Sequence, residues 1–233
     1  MASNVQSEAL VLHHLGNSRS QRILWLLEEL EIPYTIKAYP RLPSGEAPPE
    51  LRAVHPMGKS PVITDGNVVL AESGAIVEYI IKKYDSTGKL QTSKSTAVVN
   101  TYYTHFSEGS LMVPFTFKYI MNRAPELGPW LLRPLIRYIT NTLSAAAADP
   151  SIEGSLDMIE EHLSKLPEKT YFAGGSNPTS ADFMMIFPLE LSIQLLPQLV
   201  DTKRHLKAYV EMIHQLPAFK RGIEKGGSYS YAN

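Results

Sequence analysis

Strand signals in this chain stop at Ala71 and everything beyond reads as helix, an asymmetry that limits the fold more than any single motif. Before that point strand and helix alternate. Leu10–Leu15 is a short apolar run ending at Gly16-Asn17. From Ser20 to Leu30 the positions Ile23, Leu24, Leu26, Leu27 and Leu30 recur at helical spacing. Pro33 stops that helix, and Tyr34–Ala38 is a second strand. Residues 40–49 hold four prolines, an irregular connection with room for a short helix. Pro61–Thr64 and Val68–Ala71 flank Asp65-Gly66-Asn67, a tight hairpin, and a helix follows over Ser73–Tyr84. The order β-α-β, connection, β-β-α predicts a four-stranded mixed sheet of the thioredoxin-like kind.

That α/β unit spans residues 1–85, and a polar linker, 86–92, leads to an all-helical unit over 93–233. Helical spacing covers Thr96–Met121, Trp130–Ala148, Ser151–Leu166, Ser180–Leu196 and Thr202–Leu216, with breaks at Pro125, Gly128-Pro129, Asp149-Pro150, Pro167, Pro197 and Pro217. Such a segment buries its apolar stripes only as a bundle. Pro114 removes a backbone donor inside the first of these helices and should bend it. The closing Gly-Gly-Ser-Tyr-Ser-Tyr-Ala-Asn reads as a loose tail.

Composition removes several functions. The 22 basic and 23 acidic side chains give a net charge of −1, which leaves no electrostatic footprint for nucleic acid or an anionic membrane. Cysteine is absent, so disulfides, thiolate metal centres and a protein thiol nucleophile are excluded. The seven histidines lack HExxH spacing, and His13 and His14 point to opposite faces of one strand, so no metal site is expected. Met1–Glu8 is polar without an apolar leader core, and no stretch approaches a membrane span. These features predict a soluble cytoplasmic protein.

Three short motifs carry chemistry. Asn17-Ser18-Arg19-Ser20-Gln21-Arg22 stands where the first strand meets the first helix. Its bland reading is a capping box of Ser18 with Gln21. The same geometry lets a hydroxyl at a helix N-terminus donate to a bound thiolate, which the helix dipole also favours. His55-Pro56-Met57-Gly58-Lys59-Ser60-Pro61-Val62-Ile63 is a plain turn with a strand-initiating proline, or a loop whose cis Ser60-Pro61 bond aims the Ser60 backbone at a ligand. Lys59 is a solvated charge or a carboxylate holder. In Ala71-Glu72-Ser73-Gly74, Ser73 is a helix cap or, with Glu72, a seat for the two charges of an amino-acid head group.

In this order, inside one thioredoxin-like unit, the motifs resemble those of the glutathione transferases, and the resemblance covers nearly the whole chain. Asn17 to Leu30 is similar to the family's first helix. His55 to Ile63 is similar to its N-P-x-G-x-V-P-x-L segment, with His55 in place of Asn and Ser60 in place of Val. Glu72-Ser73 matches its glutathione-holding pair. Phe172-Ala173-Gly174-Gly175-Ser176-Asn177-Pro178-Thr179-Ser180-Ala181-Asp182 is similar to the loop and capping motif of its core helix. The nearest flavour is the serine-type transferases of fungi and bacteria.

The resemblance implies an enzyme that activates the thiol of glutathione, its co-substrate, for attack on electrophilic and mostly hydrophobic molecules. Glutathione-dependent peroxide reduction at the same site is an alternative, as is a non-catalytic binding or regulatory protein of this fold. Ser18 falls on the catalytic position, with Asn17 and Ser20 as substitutes. Lys59, Ser60, Glu72 and Ser73 fall on glutathione-contacting positions. Pro61, Thr179 and Asp182 fall on structural ones. A homodimer and a role in detoxification are also implied, and the absent cysteine argues against the thiol-exchanging branches. The acceptor pocket should lie between the two units. There Tyr102, His105, Glu108, Met112, Phe115 and Tyr119 fall on one face of the first long helix, a face that mixes polar and aromatic residues and suits a cleft wall or a dimer contact.

Overall fold

The computed structural model describes residues 9–232. The Met1–Glu8 segment, on which the expectation of a missing leader rests, lies outside the described residues. Strand β1 (Leu10–Leu15) leads through α1 (Gln21–Glu29) to β2 (Tyr34–Tyr39), and a short α2 (Glu50–Val54) closes the proline-rich connection. The hairpin β3 (Val62–Asp65) and β4 (Val68–Ala71) then feeds α3 (Ser73–Tyr84). The sheet order is β2-β1-β3-β4, with β1 parallel to β2 and the β1–β3 and β3–β4 pairs antiparallel. This is the thioredoxin-like sheet.

Beyond it come α4 (Ala97–Phe106), a π-helical turn (Ser107–Leu111) and α5 (Met112–Leu127). A 3-10 turn (Trp130–Leu132) opens α6 (Arg133–Ala147), and α7 (Asp149–Ser164) and the buried α8 (Ser180–Leu195) come next. The short α9 (Pro197–Val200), then α10 (Arg204–Gln215) and α11 (Pro217–Gly226), complete the helical unit. Among the described residues no helix is long and apolar enough to cross a membrane.

The structure corrects four expectations. The helix expected over Thr96–Met121 is interrupted by the π turn and runs on through Pro125 to Leu127. The widened turn absorbs the steric conflict between the Pro114 ring and the carbonyl one turn earlier. Asp149-Pro150 opens α7 and Pro217 opens α11, because proline suits the first helical turn, where its missing N–H costs nothing. Helix α11, which the periodicity did not predict, packs directly on α1. A Cβ at Gly222 would stand only 3.2 Å from the Trp25 backbone nitrogen, so glycine sets the approach of the two helices. Finally, the tail is not loose: Tyr229 is buried, and its hydroxyl donates to Glu190 on α8.

Helix α1 is the centre of the molecule. Every residue from Gln21 to Glu28 is buried, since α3 flanks it within the α/β unit while α8 and α11 cover it from the helical unit. Its five consecutive apolar residues Ile23–Leu27 each contribute about 1.5–3 kcal/mol by burial. Glu28 at its end accepts hydrogen bonds from Tyr34, Arg221 and Lys225, which ties β2 and α11 to the same helix.

Candidate active site

Strand register gathers the three chemistry-bearing motifs. Val62 opens β3 opposite His13 near the end of β1 and opposite Ala71 at the end of β4. The Gly16–Ser20 turn, the Ser60-Pro61 bond and the Glu72-Ser73 pair therefore emerge at one end of the sheet. The N-termini of α1 and α3 start there as well, each presenting partial positive charge.

At the first turn, Asn17 takes a left-handed conformation (φ 51°) that small polar residues tolerate. The chain then makes a tight turn in which the Gln21 N–H donates to the Ser18 carbonyl. This overturns the capping box of Ser18 with Gln21, since the helix starts later than the box requires. The Ser18 hydroxyl accepts instead from the Ser20 N–H at 3.2 Å and lies 2.9 Å from the Ser20 hydroxyl. Ser20 in turn lies 2.7 Å from Nδ1 of His14. Burial holds the His14 imidazole below its ordinary pKa and therefore favours the neutral ring.

The three alternatives for the first motif stand in different settings. Ser20 is fully buried. The Asn17 side chain is spanned by Ser230, which accepts from its Nδ2 at 3.1 Å and donates its backbone N–H to Oδ1 at 2.7 Å. Ser18 keeps 9% exposure.

At the second motif the Ser60-Pro61 bond is cis. The Ser60 hydroxyl donates to the His13 carbonyl at 2.9 Å, so that side chain is occupied by the sheet. Lys59 is exposed. At the third, Glu72 adopts φ 74°, an uncommon conformation for a residue with a side chain, held between β4 and α3. Ser73 is the buried first residue of α3 rather than its side-chain cap. His13 bonds to Tyr39 and Thr64 on the opposite side of the strand from His14. Among the described residues no group of three or more metal-ligating side chains comes together.

Residues 7–82 match the family model described as glutathione S-transferase, N-terminal domain, and residues 124–217 match its C-terminal domain. The chain belongs to the glutathione transferases. Glutathione S-transferase 3 of Schizosaccharomyces pombe is 35% identical over 93% of this chain and 87% of its own length. Glutathione S-transferase 1 of Saccharomyces cerevisiae is 31% identical over 78% and 80%. Among solved structures, a glutathione S-transferase from Actinobacillus pleuropneumoniae superposes with a TM-score of 0.77 at 28% identity, covering 96% of each chain.

In this transferase the helical unit closes one side of the site through a charge clamp. Glu108, in the π turn, accepts from Arg19 at 2.9 Å and from the fully buried Arg22 at 2.5 Å. Burial would raise the Glu108 pKa, but the two guanidiniums hold it below the ordinary carboxylate value. Both arginines also lie over the Phe187 ring, against which Tyr231 of the tail packs edge-on. The clamp and the tail were not legible as site components. Their only signals were Glu108 on an otherwise mixed face and the Tyr-Ser-Tyr pattern at the end of the chain.

The single face expected for the acceptor pocket does not exist. The π turn inserts an extra residue and rotates the helix beyond it, so Met112 and Phe115 go into the core while His105 and Tyr102 stay exposed. Tyr102 stacks on Phe106 and donates to Met158 on α7. Tyr119 accepts from Arg123, whose guanidinium lies against Gly45 in the connection after β2. At the buried start of α8, Asp182 accepts from Thr179, Phe172 and Tyr209, and so joins the α8 capping box to α10.

Proposed function

We propose that this transferase binds glutathione at the shared end of the sheet and activates its thiol for attack on an electrophilic, largely hydrophobic acceptor. The observation that carries this reading is the position of Ser18. Its oxygen accepts from the Ser20 N–H, and its side chain is neither taken by the tail, as that of Asn17 is, nor fully buried, as that of Ser20 is. Its hydroxyl donates to the sulfur, and the α1 N-terminus adds favourable potential, so the thiol pKa falls from about 8.5 towards neutrality. The thiolate attacks the acceptor carbon, the carbon–sulfur bond forms, and the leaving group departs with its electron pair. The protein contributes anion stabilisation and positioning, with no covalent intermediate of its own.

The rest of glutathione runs along the same edge. Glu72 and the start of α3 at Ser73 hold the charged amino-acid head group. The Ser60 backbone receives the peptide portion, and Lys59 meets a carboxylate. The acceptor enters beside Tyr119 and Arg123 across from Gly45, with Met112 and Phe115 as packing behind that wall. This reading divides the chain into residues 1–85 for glutathione and 93–233 for the acceptor, acting as a cytoplasmic homodimer.

Ultraviolet titration of the bound thiolate tests it. Wild type should ionise glutathione at least one pH unit below the free thiol, and Ser18→Ala should return the midpoint towards the free value. The same midpoint in both proteins would assign the role to another group.

A further inference from the structure

His13 and His14 are neighbours on β1 in opposite situations. His13 has both ring nitrogens engaged, one with Tyr39 and one with Thr64, as a structural histidine would. His14 is buried on the other face with only Nδ1 engaged, 2.7 Å from the Ser20 hydroxyl. Its Nε2 is buried with no hydrogen-bond partner among the described residues. Gly226, the last residue of α11, packs close to the ring, but its carbonyl does not meet Nε2 in hydrogen-bonding geometry. A neutral imidazole carries one proton, and a buried N–H without an acceptor is rarer and costlier than a bare nitrogen. The His14 proton therefore belongs on Nδ1, where the Ser20 oxygen accepts it.

That placement sets the direction of each hydrogen bond up to the first turn. With Nδ1–H donating to its oxygen, Ser20 sends its own proton elsewhere. Two acceptors are in reach, the Ser18 oxygen at 2.9 Å and the Leu15 carbonyl at 3.3 Å, and the shorter contact takes it. The Ser20 backbone N–H donates to the same Ser18 oxygen at 3.2 Å. Both lone pairs of the Ser18 hydroxyl are then filled by donors. Its own proton has no acceptor in the turn and is left for a ligand. A hydroxyl that accepts is also the better donor, so each link strengthens the next. A proton on Nε2 would reverse the chain. Ser20 would then donate to Nδ1, and its oxygen would compete with a bound sulfur for the Ser18 proton.

We infer that His14 and Ser20 are positioning residues for thiol activation, a proton-ordering chain beneath the turn that keeps the Ser18 hydroxyl free to donate to the sulfur. The inference rests on Ser18 as the group that meets the sulfur. Ultraviolet titration of glutathione bound to the full chain tests both. Ser20→Ala and His14→Phe should each raise the thiol midpoint by about 0.4–1 pH unit, the worth of one neutral hydrogen bond. His14→Asn, whose amide can donate in place of Nδ1–H, should recover most of that shift. Added to Ser18→Ala, Ser20→Ala should move the midpoint no further, because the chain that it feeds has lost its end. A structural role alone would give the same shift in both backgrounds. Nitrogen-15 histidine spectra of the wild type, with the His14 signals identified by their loss in His14→Asn, should show the proton on Nδ1. A proton on Nε2 would overturn the inference, as would a Ser20→Ala shift that persists undiminished without Ser18. So would wild-type midpoints in Ser20→Ala and His14→Phe while Ser18→Ala moves its own. An unmoved midpoint in Ser18→Ala would remove the reading of Ser18 and this inference with it.

Discussion

Nδ1 of His14 lies 2.7 Å from the hydroxyl oxygen of Ser20, with both side chains buried beneath the turn that carries Ser18. His14 therefore anchors the turn from below as a neutral ring. Its pKa, like that of His13, is held below 6.5 by burial. The unfolded chain consequently takes up protons below about pH 6.5 that the folded chain refuses. The contribution of the two histidines should be flat above that value and should fall as pH drops below it. Urea melts between pH 7.5 and 5.5 should show this loss. His14→Gln should reduce the slope by up to about 1.4 kcal/mol per pH unit and leave the His13 share in place.

Head-group capture separates binding from chemistry. Glu72→Gln combined with Ser73→Ala should raise KM for glutathione about tenfold or more while kcat stays within about twofold, because both groups are remote from the sulfur. Steady-state kinetics at saturating acceptor checks this. A matching fall in kcat would place the pair closer to the reacting atoms.

The clamp at Glu108 should matter unequally to its two arginines. Glu108→Gln leaves the charge of the buried Arg22 without its counter-ion and should cost about 2 kcal/mol. That is less than the roughly 3–5 kcal/mol typical of a fully buried pair, since Glu108 is 36% exposed. Arg19→Gln, at a side chain 35% exposed, should cost about 1 kcal/mol or less. Denaturant melts of both variants at pH 7 measure the difference.

The tail should behave as part of the fold. Tyr229→Phe removes a donor from the buried Glu190, whose pKa burial already raises despite His214 and Tyr229. The loss should be about 1–3 kcal/mol. A carboxyl whose folded pKa is raised further costs more stability as pH climbs above its ordinary 4.5, so the deficit should be larger at pH 8 than at pH 5. Thermal melts at the two values test the sign. Ser230→Pro, which removes the N–H held by Asn17, should loosen the Ser18 turn and lower turnover at nearly unchanged stability.

The strands and helices of the first unit were legible because their signals are local. Alternation and the Asp65-Gly66-Asn67 turn placed β3 and β4 within a residue, and Ser73–Tyr84 has the bounds read from its spacing. The sequence by itself determined the order of elements, the all-helical second unit and the motifs that converge on one end of the sheet, since backbone propensity, turn chemistry and periodicity act over a few residues. Only the tertiary structure decided which side chains those elements turn towards each other. The π turn at Ser107–Leu111 broke an acceptor face that ideal helical spacing would have aligned, and Arg22 found Glu108 across 86 positions. Asn17 found Ser230 across 213, and α6 packed its polar stripe inward. Such pairings depend on the close packing of distant segments, where one inserted residue or one glycine at a helix crossing changes the partner while the local pattern stays the same.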